Sequence, residues 1–313
     1  MNTKAKGYLL GAVAAASYGM NPLFALPLYE NGMSPDSVLF FRYLFAIPIL
    51  GIMLKARGRS FSIQKGEMPL LVVFGILCAL SSLTLFQSYN YMNAGIASTL
   101  LFVYPIMVAV IMACFFKERL PVTTILCILL AIYGIGLLYK GTDGATLSLT
   151  GTLLVFGSAL SYAAYIVGIN QTRLKDVATL KITFYVLLFG SSIFVVRLFM
   201  GDGLQIPDKW YLWCNLLALA LFPTAISFLC TTAAIQCIGS TPTAILGALE
   251  PVTAIFFGII VFDETLTVRD VAGIVLIIMA VAIVVAGGSV SHALVRLRKM
   301  FPRLNHNKKT GKP

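Results

Sequence analysis

A chain of 313 residues that is 59% hydrophobic and only 11% charged has too little polar surface to coat a water-soluble globule of its size. Its net charge of +11 is not pooled on one soluble basic domain but spread over short segments between apolar runs, which argues against a nucleic-acid-binding protein. The runs are about 17 to 25 residues long, enough to cross a hydrocarbon core roughly 30 Å thick, so lipid is the expected solvent.

Ten transmembrane helices are predicted, since the runs are continuous rather than alternating and a helix satisfies its own backbone groups. The first covers 7–29. Lys4 and Lys6 before it and Ala14, Ala15 and Ala16 within it imitate a signal peptide, but the apolar stretch runs on to Tyr29 and is read as a span. It carries Tyr18 and Asn21. The second, 37–54, holds Arg42 in its outer half. The third, 68–91, aligns Ser81, Thr84, Gln87, Ser88 and Tyr91 on one face, and the fourth, 95–116, has Tyr104 and Pro105 in its middle. The fifth is 121–139; the sixth, 150–171, repeats the pattern with Ser158, Ser161, Tyr162 and Tyr165. The seventh is 180–199, and the eighth, 211–236, adds Thr224, Ser227 and Thr231. The ninth, 241–262, contains Gly247, Glu250 and Pro251, and the tenth is 269–287. The basic tail mixes Leu294, Val295, Leu297, Met300 and Phe301 with its cations; it lies on anionic lipid or is disordered.

The cations set an orientation. With the N-terminus in the cytoplasm, 18 of the 23 Lys and Arg residues fall on that side and only Lys140, Arg197, Lys209 and Arg269 on the other, with Arg42 embedded. The positive-inside rule therefore expects both termini in the cytoplasm, in a bacterial inner membrane.

The chain also repeats itself. A shift of 144 residues matches Gly7, Leu9, Leu10, Ala15, Ser17 and Tyr18 with Gly151, Leu153, Leu154, Ala159, Ser161 and Tyr162. A shift of 146 matches Pro105, Phe116, Glu118 and Leu120 with Pro251, Phe262, Glu264 and Leu266. Two five-helix units are expected, 7–140 and 141–288, between a short N-terminus (1–6) and the tail (289–313). Because five is odd, the second unit enters from the opposite side. Inverted repeats of this kind underlie alternating access; duplication kept only for folding is the other reading.

Several motifs then acquire a meaning: Phe41 to Ala46 (F-R-Y-L-F-A), the mid-span Pro105, K-E-R-L at 117–120, A-L-E-P at 248–251 and D-E-T-L at 263–266. Their order resembles the EamA branch of the drug/metabolite transporter superfamily over residues 5 to 288. The resemblance implies a basket of helices around a central cavity, helices 5 and 10 more peripheral, and export of amino acids or other small metabolites. It does not choose a substrate.

Glu250 is the sharpest candidate, the one carboxylate of twelve well inside a span. Burying it ionised costs several kcal/mol unless water, a cation or a partner is present. It either faces a cavity and binds a proton or a substrate ammonium, or is protonated and ties helices together. Arg42 has three readings: a gating salt bridge across a depth difference of about 8 Å, an anchor for a substrate carboxylate, or a side chain snorkelling to the headgroups. Pro105 and Pro251 remove an N–H and crowd the carbonyls of Leu101 and Gly247, so both helices should kink. Paired interruptions point to a binding site; helix packing is the alternative. The polar stripes, with Gln87, Tyr91, Tyr162, Tyr165 and Thr231 as candidates beside Tyr18, Asn21 and Tyr104, line a wet cavity or hydrogen-bond between helices.

The leading expectation is a secondary active exporter of small polar metabolites, with amino acids as the first candidate class. A channel-like facilitator, a membrane sensor, and an uptake carrier for sugars or nucleosides stay open. An enzyme is not expected. There is no G-x-x-x-x-G-K-[ST] sequence, both histidines (His292, His306) lie in the tail, and Asp202 sits in a loop without an embedded partner. The six cysteines form no C-x-x-C pair and read as packing residues, so no metal or cofactor is expected. The expected partners are a small-molecule substrate, membrane lipid and a proton or other coupling ion, without nucleic acid; a homodimer stays open.

Overall fold

The structure, a computed structural model, describes residues 3–117, 122–139, 148–201, 203–238, 243 and 246–283. Glu118, Arg119 and Leu120 of the K-E-R-L turn, Asp202 and the tail with both histidines lie outside the described residues. Among the described residues there are helices and turns but no strands.

The chain opens with α1 (Thr3–Gly19) and α2 (Asn21–Glu30), which form one 28-residue span hinged at Met20, with Pro22 in the first turn of α2. Pro22 lacks an N–H and is tolerated there because the first helical N–H groups have no intrahelical partner. In α3 (Pro35–Ala56), the Ser34 hydroxyl accepts the Ser37 N–H at 3.3 Å and Asp36 sits in the positive first turn. Next come α4 (Met68–Ser88), α5 (Ala94–Leu101), α6 (Tyr104–Phe116), α7 (Val122–Tyr139), α8 (Leu149–Gln171) and α9 (Thr179–Met200). A further span is α10 (Trp210–Ala220), a π-helical turn at Leu221–Ile226 and α11 (Ser227–Ile238). The described part closes with α12 (Leu249–Phe262) and α13, over 268–283.

Seven helical stretches are long and apolar enough to cross a membrane, and Ile125–Leu137 and Leu249–Phe262 are shorter apolar helices. The seven coincide with predicted spans one to four and six to eight. Predicted spans five, nine and ten are not among the seven; parts of each, including 121, 241 and 287, lie outside the described residues.

Large apolar side chains point outward along the bundle: Ile52 is 70% exposed and Phe199 87%. That arrangement suits acyl chains rather than water. Inside, Leu28, Leu39, Tyr43, Leu50, Phe86 and Phe194 are sealed from solvent. With no hydrophobic drive between helices in lipid, close approach relies on small residues. At the α4–α9 crossing a Cβ on Gly75 would lie 2.9 Å from the Gly190 nitrogen, so the two backbones touch. Similarly α7 meets α13, where a Cβ on Gly134 would lie 2.9 Å from the Gly273 carbonyl oxygen. Neither α7 nor α13 supplies a described residue to the central cavity.

Candidate functional site

Two helix breaks frame the middle of the bundle. The span Ala94–Phe116 stops being helical at Phe102 and Val103 and resumes at Tyr104, with Pro105 in the first turn of α6. The cause is local, because Pro105 cannot donate to the Leu101 carbonyl and its ring crowds that oxygen. The second break is at Gly247 and Ala248, just before α12. There the Glu250 N–H donates to Gly247 O at 3.0 Å, a tight turn, and Pro251 follows within the first helical turn. Tyr104 and Glu250 are related by the 146-residue shift that relates Pro105 to Pro251.

A cavity of about 230 Å³ opens between these breaks. Its floor and walls come from Leu101 and Tyr104 at the first break, Gly247 and Glu250 at the second, Tyr18 from α1 and Tyr162 from α8. Ser81, Ser227 and Thr231 add hydroxyls. Gly11, Ala14 and Ala15 of α1 leave the space open by having small side chains. The volume is below the ~300–1,000 Å³ of drug-sized ligand pockets, so it suits a small metabolite.

Glu250 stands in the first turn of α12, where free N–H groups favour a negative charge by ~0.3–1 kcal/mol. Among the described residues no cation is ion-paired with it. Helix α1 comes close enough that a Cβ on Gly19 would collide with the Glu250 carbonyl oxygen. Only glycine allows that approach, and Tyr18 and Glu250 line the same cavity.

Arg42 is 5% exposed, so it does not snorkel to the bundle's edge. Its Nε donates to Thr224 Oγ1 at 3.1 Å, and its guanidinium lies 5.3 Å from the Phe86 ring centre. Thr224 belongs to the π-helical turn, whose extra residue redirects that side chain toward α3. The Tyr18 hydroxyl interacts with Arg42 and lies within electrostatic range of Glu250. Among the described residues no ion pair joins Arg42 and Glu250.

The other candidates separate by position. Tyr104 and Tyr162 cross edge to face with ring centres 4.8 Å apart, and Tyr162 stacks on Tyr165 at 5.7 Å. Tyr165 also meets Phe74 at 6.4 Å and is not among the cavity-lining residues. Asn21 is 3% exposed; its Nδ2 donates to Tyr18 O at 2.9 Å, and its buried Oδ1 has no partner among the described residues. Gln87 is half-buried away from the cavity lining. Tyr91 is 51% exposed and borders a separate depression with Glu30 and Glu264.

Much of each polar stripe is spent within the protein. Thr84 bonds its own helix at Leu80 O (2.9 Å), Ser88 at Leu85 O (2.6 Å), and Ser158 donates to Ser81 O across helices at 2.7 Å. Ser and Thr reach carbonyls one turn back, so their polarity alone does not demand water. Thr243 and Phe228 line the cavity without having been singled out from the sequence. Thr243, Gly247 and Glu250 stand at i, i+4 and i+7, a one-face signal that would have found the threonine. Phe228 carries no such signal.

A model of the EamA-like transporter family matches residues 5–140 and 149–286. The uncharacterized inner membrane transporter YicL of Salmonella typhimurium is 25% identical, over 91% of this chain and 96% of its own. The uncharacterized transporter YcbK of Bacillus subtilis is 24% identical over 85% and 87%. An uncharacterized transporter of Archaeoglobus fulgidus is 30% identical over 79% and 85%. One solved crystal structure, 17% identical, superposes with a TM-score of 0.65 over 93% of this chain and 99% of its own, a likeness of fold alone. Apolar helices in this number make the protein a multi-pass membrane protein. With the family model covering both halves of the sequence, the chain belongs to the EamA-like transporter family.

Proposed function

We propose that this protein is a secondary active transporter that exports small polar metabolites, such as amino acids, by alternating access. The observation that carries this reading is Glu250: a carboxylate without an ion-pair partner among the described residues borders a small mid-bundle cavity at a helix break. Such a group binds a proton or a substrate ammonium in alternation, which couples one to the other. Arg42 does not line the cavity, so its part in binding a substrate carboxylate runs through Tyr18, with which it interacts.

The moving parts are two inverted five-helix repeats, 7–140 and 141–288. Three correspondences support that division. The family model aligns to two successive stretches. Helix breaks precede Pro105 and Pro251 at places that match to within one residue. Lys117 (φ 58°) and Asp263 (φ 51°), also related by the 146-residue shift, both end their helices in the left-handed conformation. The cation distribution and the inner-membrane relative support a bacterial inner membrane with both termini in the cytoplasm.

The test is reconstitution in liposomes. Counterflow of amino acids, sugars and nucleosides, with and without a pH gradient, reads substrate and coupling together. Saturable counterflow is expected and a channel would not give it. Glu250→Gln should abolish gradient-driven accumulation in a protein that still expresses; normal accumulation removes Glu250 from the mechanism.

A further inference from the structure

The loop between α3 and α4 folds over the start of α9. The Lys181 ammonium donates to Ser62 O and the Tyr185 hydroxyl to Phe61 O, so the loop is clamped in place. Under it is a second cavity, of about 480 Å³, at the end of the bundle where α4 and α9 begin.

The lining charge of this cavity is almost all of one sign. Arg59 of the loop, Arg173 of the 3-10 turn Arg173–Asp176 and Lys181 of the first turn of α9 face it. Glu67 is the one carboxylate among its lining residues; it is 8% exposed and accepts the Gln64 N–H at 3.2 Å. Among the described residues none of the three cations is ion-paired. Three cations lining one cavity favour an anion there, since like charges within a screening length of ~8–10 Å repel one another.

The apolar surroundings identify the source of that anion. Phe61 and Met68, next in sequence to the lining residues Ser60 and Glu67, are 40% and 51% exposed. A soluble anion has no use for them, whereas acyl chains do. We propose that this cavity holds the phosphodiester headgroup of an anionic phospholipid, with its chains lying along Phe61 and Met68. Basic pockets between transmembrane helices take such headgroups, each cation near the surface strengthening binding about fivefold.

Protein purified in neutral detergent is titrated with dioleoylphosphatidylglycerol, dioleoylphosphatidylcholine and inorganic phosphate. Bound lipid is counted by native mass spectrometry, and the unfolding midpoint is read alongside. The wild-type protein should retain phosphatidylglycerol in preference to phosphatidylcholine and unfold at higher temperature with it. Arg59→Gln and Arg173→Gln should each weaken retention about fivefold. Lys65→Gln, in the same loop but outside the lining, should not. The arginine variants carry the test because Lys181 also holds the loop. Equal retention of both lipids, or undiminished retention by the Arg59→Gln/Arg173→Gln double variant, overturns the proposal. A midpoint rise with phosphate equal to that with phosphatidylglycerol makes this a free-anion site and overturns the lipid assignment.

Discussion

Glu264 accepts the backbone N–H of Ala94 at 3.0 Å, joining the turn after α12 to the first residue of α5, 170 positions earlier in the chain. The Gly95 N–H points at the same carboxylate, and a Cβ on Gly258 would strike its Oε2. One acid thus caps the half-helix that leads down to the break before Pro105, and holds it against α12, which leads up from Glu250.

Removing that cap in Glu264→Ala should cost ~0.5–2 kcal/mol. Burial pushes the carboxyl above its ordinary value of 4.5, and the two backbone donors only partly oppose it. The sign follows from linkage: the folded state holds the proton more tightly, so this contribution is full below pH 4.5 and is lost as pH rises through the raised folded value. Unfolding midpoints of wild type and Glu264→Gln across that window should differ in slope. Parallel curves would show that the site does not titrate there.

At Gly19 any side chain meets the Glu250 carbonyl, so Gly19→Leu should force α1 away from α12 at a cost of ~1–3 kcal/mol. Gly136→Ala is the control, since nothing lies within 4 Å of its Cβ position. Thermal unfolding of both variants in detergent decides; equal midpoints would mean that α1 can retreat freely.

The contact between Arg42 and Thr224 can be isolated by a double-mutant cycle with Arg42→Gln and Thr224→Val. A buried hydrogen bond from a charged donor should appear as a coupling of ~1.5–3 kcal/mol. Additive losses would mean that the π-helical turn does not position the guanidinium.

Pro105→Ala restores an N–H where α5 now ends and should let the span run through. Stability is expected to rise by up to ~3 kcal/mol while counterflow in liposomes falls, because the break is then lost from the cavity wall. Unchanged counterflow would make the break a packing feature.

Local signals were legible in the sequence. Hydropathy marks the spans because each must match a membrane by itself, and a mid-span proline removes a hydrogen bond of its own helix, so interruptions near Pro105 and Pro251 could be expected without a partner, although Pro48 leaves α3 unbroken. Glu250 stood out as the carboxylate well inside a span, because lipid makes such a residue rare. The stripe on the third span was misleading in part, since Thr84 and Ser88 satisfy themselves on their own helix and only Ser81 of that set lines the cavity.

What the tertiary structure alone decided are the pairings between distant segments. Thr224 is 182 residues from Arg42, and Ala94 is 170 from Glu264. No periodicity encodes such contacts, because they depend on how far apart two helix axes stand and how each helix is rotated. Those quantities are set by small residues such as Gly19, Gly75 and Gly190, whose effect exists only once the helices touch.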